Sequence, residues 1–295
     1  MVGNEHGRPR LVVNHQLAPW IFPAAEITLP TMEEPPVLIS RDSRGIVTAT
    51  LNRPRFGNAY DGALLEALIT GLRELAPDSM VRALVIRGAG RHFQAGADLN
   101  WLAAMAQAPP AEALAASMGT VTAMQLLNEF PKPTFALVRG ACFGGGAGMV
   151  CCVDVALATP DAHFGLTEVR VGVSPSPIST HMVNAIGLRH TRRYALTGER
   201  FDAAEALRIN LVHEVVAEDA IEARLAHILD ETMLSGPTAM AATKDSFLGA
   251  NGLKLDMRQM AQLGHESATQ RGTDEAREGL AAFRQKRRPN WSTTV

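Results

Sequence analysis

Residues 143–155 read FGGGAGMVCCVDV. Three consecutive glycines open straight into an apolar run, the pattern of a tight turn feeding a buried helix. A turn of this kind leaves backbone N–H groups unpaired at the helix N-terminus, where the chain carries partial positive charge. Immediately outside it lie PTFALVRG (133–140) and VDVALAT (153–159). Both read as buried strands, because short apolar, β-branched runs bounded by turn residues favour a sheet interior.

Further upstream, VLISRDSRGIVTATLNRP (37–54) predicts a β-hairpin turning near Arg44 and Gly45. DGALLEALITGLREL (61–75) places Leu64, Leu65, Leu68, Ile69, Leu72 and Leu75 on one helical stripe, with Asp61 as N-cap. ALVIRG (83–88) reads as another buried strand and residues 111–129 as a helix. Strands alternating with helices predict an α/β core. Beyond about Pro177 the pattern turns mainly helical: Ile221, Leu225, Ile228, Leu229 and Met233 form one stripe, and further helices are expected near 237–249, 253–271 and 274–284. These apolar stripes exceed what one core needs, which predicts a homo-oligomer.

Composition narrows the function classes. The chain has 295 residues, 46% hydrophobic and 20% charged, with a formal net charge of −2. That balance lacks the clustered basic excess that nucleic acid or an anionic membrane attracts, and no apolar run is long enough to span a bilayer. The three cysteines, Cys142, Cys151 and Cys152, fall in one apolar segment and read as buried hydrophobes of a reducing, cytoplasmic compartment. The nine histidines show no metal-ligand spacing. The first 31 residues lack a signal-peptide apolar region and contain Pro9, Pro19, Pro23 and Pro30. Residues 1–35 are therefore expected to be an N-terminal extension, with Met32 a candidate natural start.

A second small-residue turn, GRHFQAGADLNWL (90–102), also follows a strand-like run and precedes a helix-like one. Two helix N-termini meeting in space can bind one oxyanion. Taken alone, each turn reads better as a strand-to-helix turn where glycine relieves strain, and neither has P-loop or dinucleotide-fingerprint spacing.

The combination is more specific. LNRPRFGNA (51–59), HFQAGADL (92–99), CFGGGAGM (142–149), HFGLTEVRVGVSP (163–175) and EGLAAFRQKRRPNW (278–291), in that order, resemble the enoyl-CoA hydratase/isomerase (crotonase) superfamily over residues 36–291. The resemblance implies a spiral of ββα turns over residues 36–225 and a helical C-terminal oligomerisation region over 226–295. It implies a trimer or dimer of trimers acting on an acyl-CoA, with coenzyme A as part of the substrate and no separate cofactor. The oxyanion hole falls on the N–H groups of Ala97 and Gly145, within the Ala95–Leu99 and Gly144 turns. Asp98 reads as a helix cap within this segment. The resemblance puts Arg55 where the family often has a basic residue close to the CoA nucleotide, and matches Phe283 and Lys286, from the same or a neighbouring subunit, to positions that close over the CoA.

Typical hydratases of the superfamily use two glutamates. One is present as Glu168, bracketed by Phe164, Leu166, Val169 and Val171, surroundings that raise a carboxyl's proton affinity. At the other position stands Gly148. Three readings follow: hydration with Glu168 alone, a double-bond isomerisation that needs only one base, or a non-catalytic acyl-CoA-binding relative. The stretches CFGGGAGMVCCVDVALA, FGLTEVRVGVSPSPIS and RHTRRYALTGERFDA (189–203) are similar to bacterial methylglutaconyl-CoA hydratases, which implies a 3-methyl-branched enoyl-CoA. On this reading Gly148 opens space beside C3 for the branch.

Overall fold

A computed structural model describes residues 34–292. From Glu34 onward the chain forms one compact unit, with no division near residue 225. The hairpin expected at its start is there: β1 (Val37–Arg41) pairs antiparallel with β2 (Ile46–Leu51) across Gly45, whose φ is +83°. After a 3-10 turn at Pro54–Phe56 comes α1 (Gly62–Leu75), capped as predicted by the Asp61 side chain, which accepts from the Leu64 N–H. Next are β3 (Ala83–Gly88), α2 (Leu99–Met105) and α3 (Pro110–Asn128). They are followed by β4 (Thr134–Val138), β5 (Ala141–Phe143), α4 (Gly145–Cys152), β6 (Val155–Ala158) and β7 (His163–Gly165).

The remaining elements are mainly helical: α5 (Ser179–Thr197), β8 (Arg200–Asp202), α6 (Ala203–Arg208), β9 (Glu214–Val215), α7 (Ile221–Met233), α8 (Pro237–Ala250), α9 (Met257–Arg271) and α10 (Asp274–Arg284). The main sheet has the order β1-β2-β3-β4-β6-β9, parallel except for the β1–β2 pair. A smaller sheet runs β5-β7-β8.

Strand residues alternate between two apolar layers, as a period of two requires. Leu84, Ile86, Ala136, Val138, Ala156 and Ala158 face a core shared with α1, α3 and α4. The intervening Ala83, Val85, Phe135, Leu137 and Leu157 face Ile221, Leu225 and Leu229 of α7. The α7 stripe, read in the sequence as surplus to one core, is thus used within the chain: a parallel sheet needs both faces covered. By contrast α8 buries no residue, and Leu234, Phe247 and Met257 are exposed. Cys142, Cys151 and Cys152 are free thiols inside the fold.

Candidate active site

Strand register brings the separate sequence motifs together. In the small sheet, Phe143 of β5 pairs with Gly165 of β7 in parallel, so both strands end side by side. The chain leaves β5 through Gly144 and leaves β7 through Thr167 to a 3-10 turn, Glu168–Val171. Along the other flank of β5, Gln94 bridges Cys142, with Gln94 N–H donating to Ala141 C=O (3.0 Å) and Phe143 N–H to Gln94 C=O (2.9 Å). Segments 94–97, 141–145 and 163–168 therefore converge on one place.

That place is a cavity of about 440 Å³. Ala95, Ala97, Leu99, Gly144, Gly145, Glu168 and Phe283 all line it. Tyr60 donates its N–H to Gly96 C=O (2.9 Å) and accepts from Asp98 N–H (2.7 Å), so the pairing skips Ala97. Neither the Ala97 nor the Gly145 N–H has an acceptor among the described residues. The Gly145 donor also lies at the positive end of α4. Two free donors on one cavity can hold an oxygen that gains negative charge.

Gly144 is glycine for two reasons. Its φ of +52° and ψ of −119° suit a residue without Cβ, and an added Cβ would lie 2.8 Å from Glu168 Oε1. The carboxyl of Glu168 thus sits directly against the glycine turn. Its Oε2 is buried with no hydrogen-bond partner. Burial pushes its pKa up to about 7, opposed only by a backbone hydrogen bond. The turn that carries it is clamped from behind, where Gly279 of α10 lies against the Val171 backbone and Gly172 against Glu275 C=O.

Residues 41–294 match the family described as enoyl-CoA hydratase/isomerase. The chain is 32% identical over 261 residues to the 2,3-dehydroadipyl-CoA hydratase of Escherichia coli, a match covering 86% of this chain and 98% of that one. The chain belongs to the enoyl-CoA hydratase/isomerase family. An enoyl-CoA hydratase structure from Mycobacterium avium superposes with a TM-score of 0.77 at 33% identity, covering 88% of this chain and all of that one (100%). AtuE of Pseudomonas aeruginosa does so with a TM-score of 0.71 at 38% identity, covering 88% and 100%. The protein is an enzyme of this family with the crotonase fold and helical C-terminal elements.

Within this hydratase/isomerase the other sequence-predicted residues fall in different places. Asp98 does not line the cavity; it caps α2 by accepting from the Asn100 and Trp101 N–H groups and pairs with Arg53 (3.1 Å). Arg55 is exposed on the 3-10 turn, and Lys286 is exposed just past α10 with φ +52°. Phe283 lines the cavity of its own chain.

Gly148 corrects an expectation. It does not open onto the cavity, because a Cβ there would lie 2.4 Å from Ile178 Cγ2. The space beside it is already filled by Ile178, whose side chain lines the cavity instead. Position 148 has no side chain, and Ile178, thirty residues on in the chain, occupies the adjoining volume.

The polar cavity residues that escaped the sequence reading include the buried Tyr60, Thr120, Ser267 and Arg271 and the less buried Thr167, Arg170, Ser174 and Arg200. On α9 the Gly264, Ser267, Arg271 spacing marks one buried face, the single signal available. An arginine in the last turn of a helix ordinarily reads as a solvated cation complementing the dipole.

Proposed function

We propose that the enzyme adds water across the C2–C3 double bond of an enoyl-CoA with Glu168 as its only acid/base. The observation that carries this reading is that, among the described residues, Glu168 is the one carboxyl lining a cavity that also holds two free backbone donors. The thioester oxygen would accept from the Ala97 and Gly145 N–H groups. A water resting on the Glu168 carboxylate gives it a proton while the water oxygen bonds to C3. The displaced electron pair moves through C2 onto the thioester oxygen as an enolate. Glu168 then returns its proton to C2 and the carbonyl re-forms. Each oxyanion donor of this type is worth about 3–4 kcal/mol of transition-state stabilisation, and a carboxyl poised near neutrality suits both proton transfers.

The branched acyl chain implied by the methylglutaconyl-CoA hydratase resemblance is part of the proposal, on a revised physical basis. Ile178 offers apolar contact beside the reacting carbons where typical hydratases carry a second glutamate, so a 3-methyl group meets methyls and not a carboxylate. Arg55 is proposed to lie beside the CoA nucleotide, with Lys286 and Phe283 closing over the CoA.

The same Ile178 supports a second reading, double-bond isomerisation, since a 1,3-proton shift requires one base and no positioned water. Incubation with branched and unbranched enoyl-CoAs in heavy-oxygen water separates the two. Hydration predicts a 3-hydroxyacyl-CoA carrying the label. An unlabelled product of unchanged mass establishes isomerisation, and unaltered substrate overturns both readings.

A further inference from the structure

We infer that the cavity carries a receptor for a second, terminal carboxylate on the acyl chain, with Arg271 as its cation and the hydroxyls of Ser267, Thr120 and Tyr60 beside it. The inference rests on the acyl-CoA reading above and specifies the class of acyl group. Arg271 is only 4% exposed, yet it lines the same cavity as Ala97, Gly145 and Glu168. Its Nη1 is buried with no acceptor, and Nη2 donates only to Ser267 Oγ, at 3.3 Å. No carboxylate pairs with it among the described residues. Its guanidinium lies 5.8 Å from the centroid of the Trp101 ring, which holds it in place without neutralising it.

A guanidinium keeps its charge even when buried, and an isolated buried charge is unfavourable unless something pairs with it. A planar fork with a free donor matches a carboxylate better than any neutral group. The three hydroxyl side chains are themselves buried, Thr120 at 2%, Ser267 at 5% and Tyr60 at 8% exposure. Desolvation holds the Tyr60 phenol up at about 12, so it remains a neutral hydrogen-bond donor. Tyr60 lies close enough to feel both the Arg271 and the Glu168 charge. Cation and carboxyl line one cavity. The same lining carries the apolar Leu99, Leu102, Val171 and Ile178, which suit the methylene or methyl-bearing middle of an acyl chain. A monocarboxylic enoyl chain would leave Arg271 unpaired in a closed pocket.

Calorimetric binding of saturated, unreactive esters tests this without requiring turnover. Glutaryl-CoA and adipoyl-CoA are compared with pentanoyl-CoA and hexanoyl-CoA, chains of matched length that lack the second carboxylate. The wild type should bind the better-fitting dicarboxylic ester at least about tenfold more tightly than its matched partner. Arg271→Met should abolish that preference, and Arg271→Lys should retain part of it. Equal binding of the matched esters by the wild type overturns the inference, as does a preference that survives in Arg271→Met. Should Arg271→Met fail to fold by circular dichroism, the wild-type comparison decides alone. Equal binding together with hydration of hexenoyl-CoA would remove the carboxylate receptor and leave the proposed reaction standing. Failure to bind any CoA ester would overturn both.

Discussion

Glu168 is desolvated without a partner for Oε2, so the folded protein holds a proton that the unfolded chain releases at lower pH. The consequence for stability has a definite sign. Below pH 4.5 the carboxyl is neutral in both states and carries no penalty. Between 4.5 and about 7 the unfolded chain ionises first, so stability falls as pH rises, and above about 7 the loss is complete. Its size is at most about 3 kcal/mol, from 1.36 kcal/mol per pKa unit. Glu168→Gln should therefore raise the melting temperature at pH 8 and bring no gain at pH 4, as thermal unfolding at the two values checks. An equal shift at both would mean that burial of the ionised carboxylate is not the cause. Arg271, the buried arginine among the cavity's charged groups, was hard to read in the sequence, since the Gly264, Ser267, Arg271 spacing on α9 marks a face but not that it turns inward against Trp101.

Between elements, the contact with most bearing on specificity is Gly148 of α4 against Ile178, which ends the short helical turn Ser176–Ile178 ahead of α5. Because Ile178 is β-branched and buried, its Cγ2 cannot swing aside cheaply. Gly148→Ala should destabilise by about 1–3 kcal/mol, the usual effect of overpacking. Removing Cγ2 first, in an Ile178→Ala background, should make the same change nearly neutral. A double-mutant cycle from chemical denaturation measures that coupling, and additive losses would show that the two side chains do not compete for the space. Much of the secondary structure was legible: the 37–54 hairpin, the Asp61-capped helix and the strands flanking the glycine turn follow from periodicity and capping. The Gly148–Ile178 exchange was not, because a local pattern reports a missing side chain but not the distant residue that fills its place.

Across the whole molecule, the helices after residue 220 divide into two kinds. The α7 stripe is consumed by the sheet of its own chain, while α8 buries nothing and leaves Phe247 exposed, as Leu234 and Met257 on its flanks in the sequence also are. The trimer or dimer of trimers implied by the resemblance would cover such surface, and we propose α8 as part of the contact. Light scattering at micromolar concentration should give a mass of three or six chains, and a monomer would contradict it. Phe283 of α10 lines the cavity of its own chain while remaining 58% exposed. Among the described residues that cavity contains one carboxyl against two free N–H donors, and whether that carboxyl alone moves the protons is tested most directly by the kcat of Glu168→Gln on an enoyl-CoA that the wild type turns over. Loss of general acid–base catalysis predicts a fall of roughly 10²–10⁴-fold with the fold intact, whereas retention of most of the wild-type kcat would remove Glu168 from the reaction.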